Sequence, residues 1–104
     1  MEEYEMTCFQ IISAVGTARS CYVEAVQEAK AGNFEKAEAL IKEGEEAGVG
    51  GHHAHMGMIQ KEASGEDIKT GLLLMHAEDQ LMAAETIKIM AEEFIALYKK
   101  LADK

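Results

Sequence analysis

No proline interrupts this 104-residue chain, and only two places carry the residues that end a helix. Proline removes a backbone donor and clashes with the preceding turn, so its absence lets helices run long. The abundant residues, Ala, Glu, Lys, Met and Leu, all favour helix. The first break is Gly32-Asn33, a left-handed C-terminal position followed by a side-chain N-cap. The second is Ser64-Gly65-Glu66-Asp67, after which Thr70 can cap the next helix. These signals predict helices over about 3–31, 34–63 and 70–102. Three long helices joined by short turns give an all-α, antiparallel up-down-up bundle, one domain spanning 1–104.

The first helix carries Cys8, Ile11, Ile12, Val15, Ala18, Tyr22, Ala25 and Ala29 at steps of three and four. The second carries Phe34, Ala37, Ile41, Gly44, Gly48, His52, His55, Ile59 and Glu62 on one broad face. Its small residues at 44, 48 and 51 suit a close neighbouring backbone. The alternative is that Gly44, Gly48, Gly50 and Gly51 kink or weaken the helix, each costing about 1 kcal/mol against alanine. On the third helix Ala83, Ile87, Met90, Phe94, Leu97, Tyr98 and Leu101 form an apolar stripe. Glu78, Glu85, Lys88, Glu92 and Lys99 are expected opposite it, facing solvent. The stripe is wide enough to serve two neighbours, the chain's own helices and a second subunit, so a self-association seam is expected.

A formal net charge of −9 repels phosphate backbones and anionic lipid, which argues against nucleic acid and membrane surfaces as partners. The acidic start, Met1-Glu2-Glu3-Tyr4-Glu5, lacks the order of a signal peptide, and no apolar run reaches membrane-spanning length. A cytoplasmic protein without membrane insertion is expected. Cys8 and Cys21 fall on one helix, about 20 Å apart along its axis and beyond disulfide reach. Both read as free, buried thiols.

Helical steps backward from the apolar stripe pass through Gln80, Asp79 and His76. Polar groups on an inward face are costly unless partnered, so three together mark a functional site. His52 and His55 are expected on the inward face of the second helix, with His53 pointing elsewhere. The residues alone leave two rival classes open. One is a metal-binding helical bundle using His52, His55, His76 and Asp79. The other is an interaction module whose inward polar residues only fix register.

Four segments resemble the IIA family of the lactose and cellobiose (diacetylchitobiose) sugar phosphotransferase systems. They are Gly16-Thr17-Ala18-Arg19-Ser20, Gly32-Asn33-Phe34, Lys61-Glu62-Ala63-Ser64-Gly65-Glu66 and Leu74-Met75-His76-Ala77-Glu78-Asp79-Gln80-Leu81-Met82. The last is the most specific, since its histidine matches the one the family phosphorylates. The resemblance implies a homotrimeric nine-helix bundle in which His76 accepts a phosphoryl group from the phosphocarrier HPr. It then passes the group to a cysteine of the IIB component during sugar uptake. It also implies that Asp79 from three chains shares one divalent cation, typically magnesium. The choice of sugar belongs to the IIB and IIC components.

The chain departs from the family pattern at four points. Glu78 stands where the family has Gln, Gln80 where it has a second His, Ala83 where it has Thr, and Gly50-Gly51 where it tends to have Glu-Ala. Gln80, one turn from His76, is expected to contact the phosphoryl group. His76 must be reached by two partners in turn, so it is expected in a groove, with His55 or Gln80 supplying donors.

Overall fold

The computed structural model describes residues 2–103. Among these residues there are three α-helices and no strand: α1 (Glu3–Lys30), α2 (Phe34–Ala63) and α3 (Leu72–Ala102). A helix of about 30 residues is about 45 Å long, and the molecule measures 57 × 22 × 20 Å. Each helix therefore runs most of its length. Two apolar clusters fix the directions. One joins Ala18, Tyr22, Ala25 and Ala29 to Ala37, Leu40 and Ile41 and to Ala91 and Ile95. The other joins Cys8, Ile11 and Val15 to Ala77, Leu81 and Ala84, with Ala54 and Met58 packed against it. So α1 and α3 run together and α2 runs against them, as the turn signals predict.

Both inter-helix turns use the same device. After α1, the Asn33 amide reaches back to the Glu28 carbonyl and the Gly32 amide to that of Ala29, with Gly32 at φ 89°. After α2, the Glu66 amide reaches Lys61 and the Gly65 amide reaches Glu62, with Gly65 at φ 98°. Glycine takes this left-handed conformation without a Cβ penalty, and the paired bonds satisfy carbonyls the helix end leaves free.

Two capping expectations fail. Asn33 precedes α2, but its side chain does not cap that helix. Its amide Nδ2 donates to Glu28 Oε1 at 2.9 Å instead, tying the turn to α1. Nor does Thr70 open α3, whose N-cap is Gly71 with no side-chain bond.

The glycines of α2 divide cleanly, and close approach wins over kinking. α2 is continuous, and Gly44, Gly48 and Gly51 are buried against α1. A Cβ on Gly44 would lie 2.5 Å from Tyr22 Cε1 and 3.1 Å from the Ala18 carbonyl oxygen. One on Gly51 would lie 3.1 Å from Val15 Cγ1 and 3.2 Å from Ala14 Cβ, whereas Gly50 has nothing within 4 Å. The two helices can approach this closely only because these side chains are missing.

On α3 the outcome corrects the expected pattern. Its side toward α1 is a line of mostly small residues, Ala77, Leu81, Ala84, Ala91 and Ile95. Met90, Phe94, Leu97 and Leu101, part of the stripe expected to serve both the chain's own helices and a second subunit, are exposed, while Ala83, Ile87 and Tyr98 are half-buried. Periodicity shows that a sector is apolar without saying which part of it meets the chain's own helices. Alanines bring α3 close to α1 along one line, and the bulkier stripe is left outside.

Substitution at the two kinds of glycine should therefore have opposite signs. Gly44→Ala should destabilise by about 1–3 kcal/mol, because the buried Tyr22 ring and a backbone carbonyl have little room to give. Gly50→Ala should stabilise by roughly 0.5–1 kcal/mol through helix propensity alone. Urea unfolding of the two variants against the parent chain measures both.

Candidate functional site

The first two turns of α3 hold the residues that the sequence singles out. Leu72 is 82% exposed and Met75 66%; His76 and Asp79 are also exposed, and Gln80 is half-buried. Ala77 and Leu81 face α1 and anchor these turns. The polar trio thus does not point into the chain's own core, as an inward reading would have it. His76, Asp79 and Gln80 lie on the outward side of α3, in line with the exposed apolar residues that continue to Leu101. No hydrogen bond or ion pair engages the His76 side chain among the described residues.

The histidines of α2 separate. His52 is exposed rather than inward, and its Nδ1 is 3.7 Å from Glu85 Oε1. His55 is half-buried, its side chain 17% exposed, and its Nε2 is 2.6 Å from Glu78 Oε1. His55 is thus committed to Glu78 and not to His76. His53 turns away from α3 and lines an open groove of about 890 Å3 between α1 and α2, beside Met6, Phe9 and Gly50. Among the described residues, no group of three or more His, Cys, Asp or Glu is gathered so as to hold a metal.

Glu78 is one of the residues that sector arithmetic places wrongly. It is expected in solvent, yet it turns toward α2, because α2 flanks part of the sector opposite the apolar stripe. Three further pairs join the same two helices: Glu45 with Lys88 at 3.4 Å, His52 with Glu85, and Glu38 with Lys99. Partners are arranged almost symmetrically about the turn at 64–71, the register of an antiparallel pair. That symmetry is the signal in the sequence that would have found them. Direct packing between α2 and α3 is slight, both helices resting mainly on α1.

The cysteines are the expected free, buried thiols. Burial pushes the Cys8 thiol up from its ordinary value, and Glu5 and Glu78 add to this against a hydrogen bond with Tyr4. Burial raises Cys21 as well, with Glu43 and Glu24 adding to the effect. A thiol held protonated and buried is a poor nucleophile, so the exposed imidazole of His76 is the accessible one in this region. Also among the described residues, no helix is long and apolar enough to cross a membrane.

Comparison with known proteins bears on the whole chain. The family model described as PTS system, Lactose/Cellobiose specific IIA subunit matches residues 6–99. The chain is 42% identical over 103 residues to the lichenan-specific phosphotransferase enzyme IIA component of Bacillus subtilis, covering 99% of this chain and 94% of that one. It is 37% identical over 99 residues to the lactose-specific EIIA component of Staphylococcus aureus, covering 95% and 96%. The crystal structure of the cellobiose-specific enzyme IIA from Bacillus anthracis superposes with a TM-score of 0.97 at 44% identity, covering 100% of this chain and 95% of that one. Relatives bearing three different sugar names thus match this chain nearly end to end, and the chain belongs to the lactose/cellobiose-specific IIA family, phosphotransferase components of sugar uptake.

Proposed function

We propose that this protein carries a phosphoryl group on His76, taking it from phospho-HPr and giving it to a cysteine of a IIB component in the cytoplasm. The observation that carries the reading is the state of His76: exposed on α3, free of an ion-pair partner among the described residues, within a chain of the IIA family. A carrier must present the same nitrogen to two proteins in succession, which an enclosed cavity would prevent.

The chemistry is two in-line displacements. An unprotonated imidazole nitrogen of His76 attacks phosphorus as the bond to HPr breaks, giving phosphohistidine and free HPr. The cysteine thiolate of IIB then attacks the same phosphorus, the nitrogen–phosphorus bond breaks, and the imidazole is regenerated. Such transfers pass through a loose transition state, so the protein contributes mainly placement and charge stabilisation. Gln80, one turn on and half-buried, can donate its amide N–H to a phosphoryl oxygen. His55 has its Nε2 engaged by Glu78, which leaves its Nδ1 as the one ring nitrogen that could serve as a donor.

The functional unit is a homotrimer assembled through the outward stripe of α3. One feature supports this. Met90, Phe94, Leu97 and Leu101 are exposed in one line in the single chain, and contiguous apolar surface of this kind marks an interface. On that stripe Asp79 would bring one carboxylate from each chain to a shared axis. Three carboxylates repel one another, and a hard divalent cation such as Mg2+ suits an all-oxygen donor set. Held there by Asp79, the ion would neutralise the carboxylates and tie the subunits, apart from the phosphoryl chemistry.

Incubation with enzyme I, HPr and phosphoenolpyruvate should add one acid-labile phosphate per chain, read by mass spectrometry of the intact protein. His76→Ala should abolish it, and label mapping to His52, His53 or His55 would overturn the assignment. Gln80→Leu should slow transfer while helicity is retained. Unchanged kinetics would mean that Gln80 makes no contact with the phosphoryl group.

Chelator should weaken the trimer in sedimentation, and Asp79→Leu should remove that sensitivity. The mutant trimer should be as stable or more so, because all three charges vanish together. Dissociation of the Asp79→Leu protein to monomers would show that the carboxylate makes a contact beyond holding a cation.

A further inference from the structure

Four polar pairs bridge α2 and α3, and one differs from the rest. The pairs made by Lys99, Lys88 and His52 all involve side chains about a third or more exposed, where such contacts hold little. In the fourth, His55 is the least exposed partner of any of them, and its Nε2 comes within 2.6 Å of Glu78 Oε1. A short polar contact shielded on one side is the firmer kind. Glu78 also adds, as the smallest of the causes, to the upward push on the buried Cys8 thiol of α1.

The position of this pair along α3 gives it leverage. α3 starts at Gly71 without a side-chain cap; in its first three turns only Ala77 and Leu81 are buried, with Leu73 and Leu74 partly buried beside them. Ala77 and Leu81 pack on α1, and direct contact between α2 and α3 is slight. A helix packed on one neighbour through small and partly buried side chains has its roll only loosely set. A polar attachment at the edge of that packed face tightens the roll, and at this end of α3 Glu78 supplies one. At about 100° per residue, Glu78 lies about 160° round the axis from His76 and about 100° from Asp79. Drawing Glu78 toward α2 therefore turns His76 outward and keeps Asp79 on the same outward half.

We infer that the His55–Glu78 pair is a positioning clasp, fixing the roll of the first turns of α3 and hence the direction in which His76 presents its ring. The inference rests on the reading of His76 as phosphoryl acceptor. Neither clasp residue touches phosphorus; both act through the helix. Glutamine, the family's residue at 78, offers an amide oxygen to the same imidazole, so Gln fits the role and Ala does not.

The test uses full-length His55→Ala, Glu78→Ala, the double variant and Glu78→Gln, with Glu45→Ala as a control. That control removes an exposed pair from the same seam, so it moves only if the seam as a whole matters. Alanine favours helix, and circular dichroism confirms that each variant folds. The readouts are the initial rate of phosphorylation across a range of phospho-HPr concentrations and the imidazole nitrogen resonances of His76. Misplacement of a reacting group costs about ten- to a hundredfold in rate.

Each alanine variant should lose about that much at saturating phospho-HPr, with little change in the half-saturating concentration. The double variant should be no slower than the worse single, since the two residues act as one unit. Glu78→Gln should recover most of the loss, Glu45→Ala should behave as the parent, and the His76 resonances should shift in the alanine variants alone. Parent-like rates and resonances in both single variants, or losses that multiply in the double, would overturn the clasp. If the parent chain takes no label at all, the carrier reading fails, and the His76 resonances still decide whether His55 and Glu78 set its orientation.

Discussion

The close contact between α1 and α2 is the constraint on which the other features rest. Three glycines of α2 leave room for α1, and the neighbours that fill it include the buried side chains of Val15, Ala18 and Tyr22. Among the described residues, it is here that two long helices come together through absent side chains on one of them. Dispersion attraction falls off steeply with distance, so backbones that approach closely gain contacts which bulkier side chains would hold apart. α1 thereby becomes the spine of the molecule. α3 is laid against the same spine through its alanines, and α2 and α3 are left to meet mainly through polar pairs along their margins.

That arrangement leaves α3 with more apolar surface than its own chain can cover. Only the line from Ala77 to Ile95 is buried, while the parallel line through Met90, Phe94, Leu97 and Leu101 stays exposed. The same outward surface carries His76, Asp79 and Gln80 near its start. With the proposed phosphoryl acceptor and the proposed assembly surface on one helix, chemistry and assembly would be tied. A phosphoryl acceptor so placed would be accessible and would still have polar groups brought near it from more than one chain.

The polar margin between α2 and α3 has a different character at its two ends. Near the first turn the pairs are lysines with glutamates, exposed and adaptable, and they have little influence on side-chain direction. Near the second turn they are histidines with glutamates, and His55 is largely covered. The stiffer contact falls within two residues of His76. A Glu in place of the family's Gln at 78 thus keeps a polar partner for His55 while adding a charge to it.

Helix number, the two breaks and the left-handed Gly32 were legible in the sequence because they depend on local chemistry: no proline, glycine at the ends, and apolar residues at three- and four-residue steps. The family was legible in the short run around His76, and the free, buried state of both cysteines could be read from their spacing on one helix. What only the tertiary structure decided is which of two apolar lines on α3 meets α1, and that the glycines of α2 serve close approach. It also decided that Asn33 ties back to Glu28, that Thr70 is not the cap, and that Glu78 faces His55. Each of these depends on how one helix is rolled against another. A one-dimensional pattern fixes the angles between residues on the same helix and leaves that roll free, so it is set by the packed side chains of residues far apart in the chain.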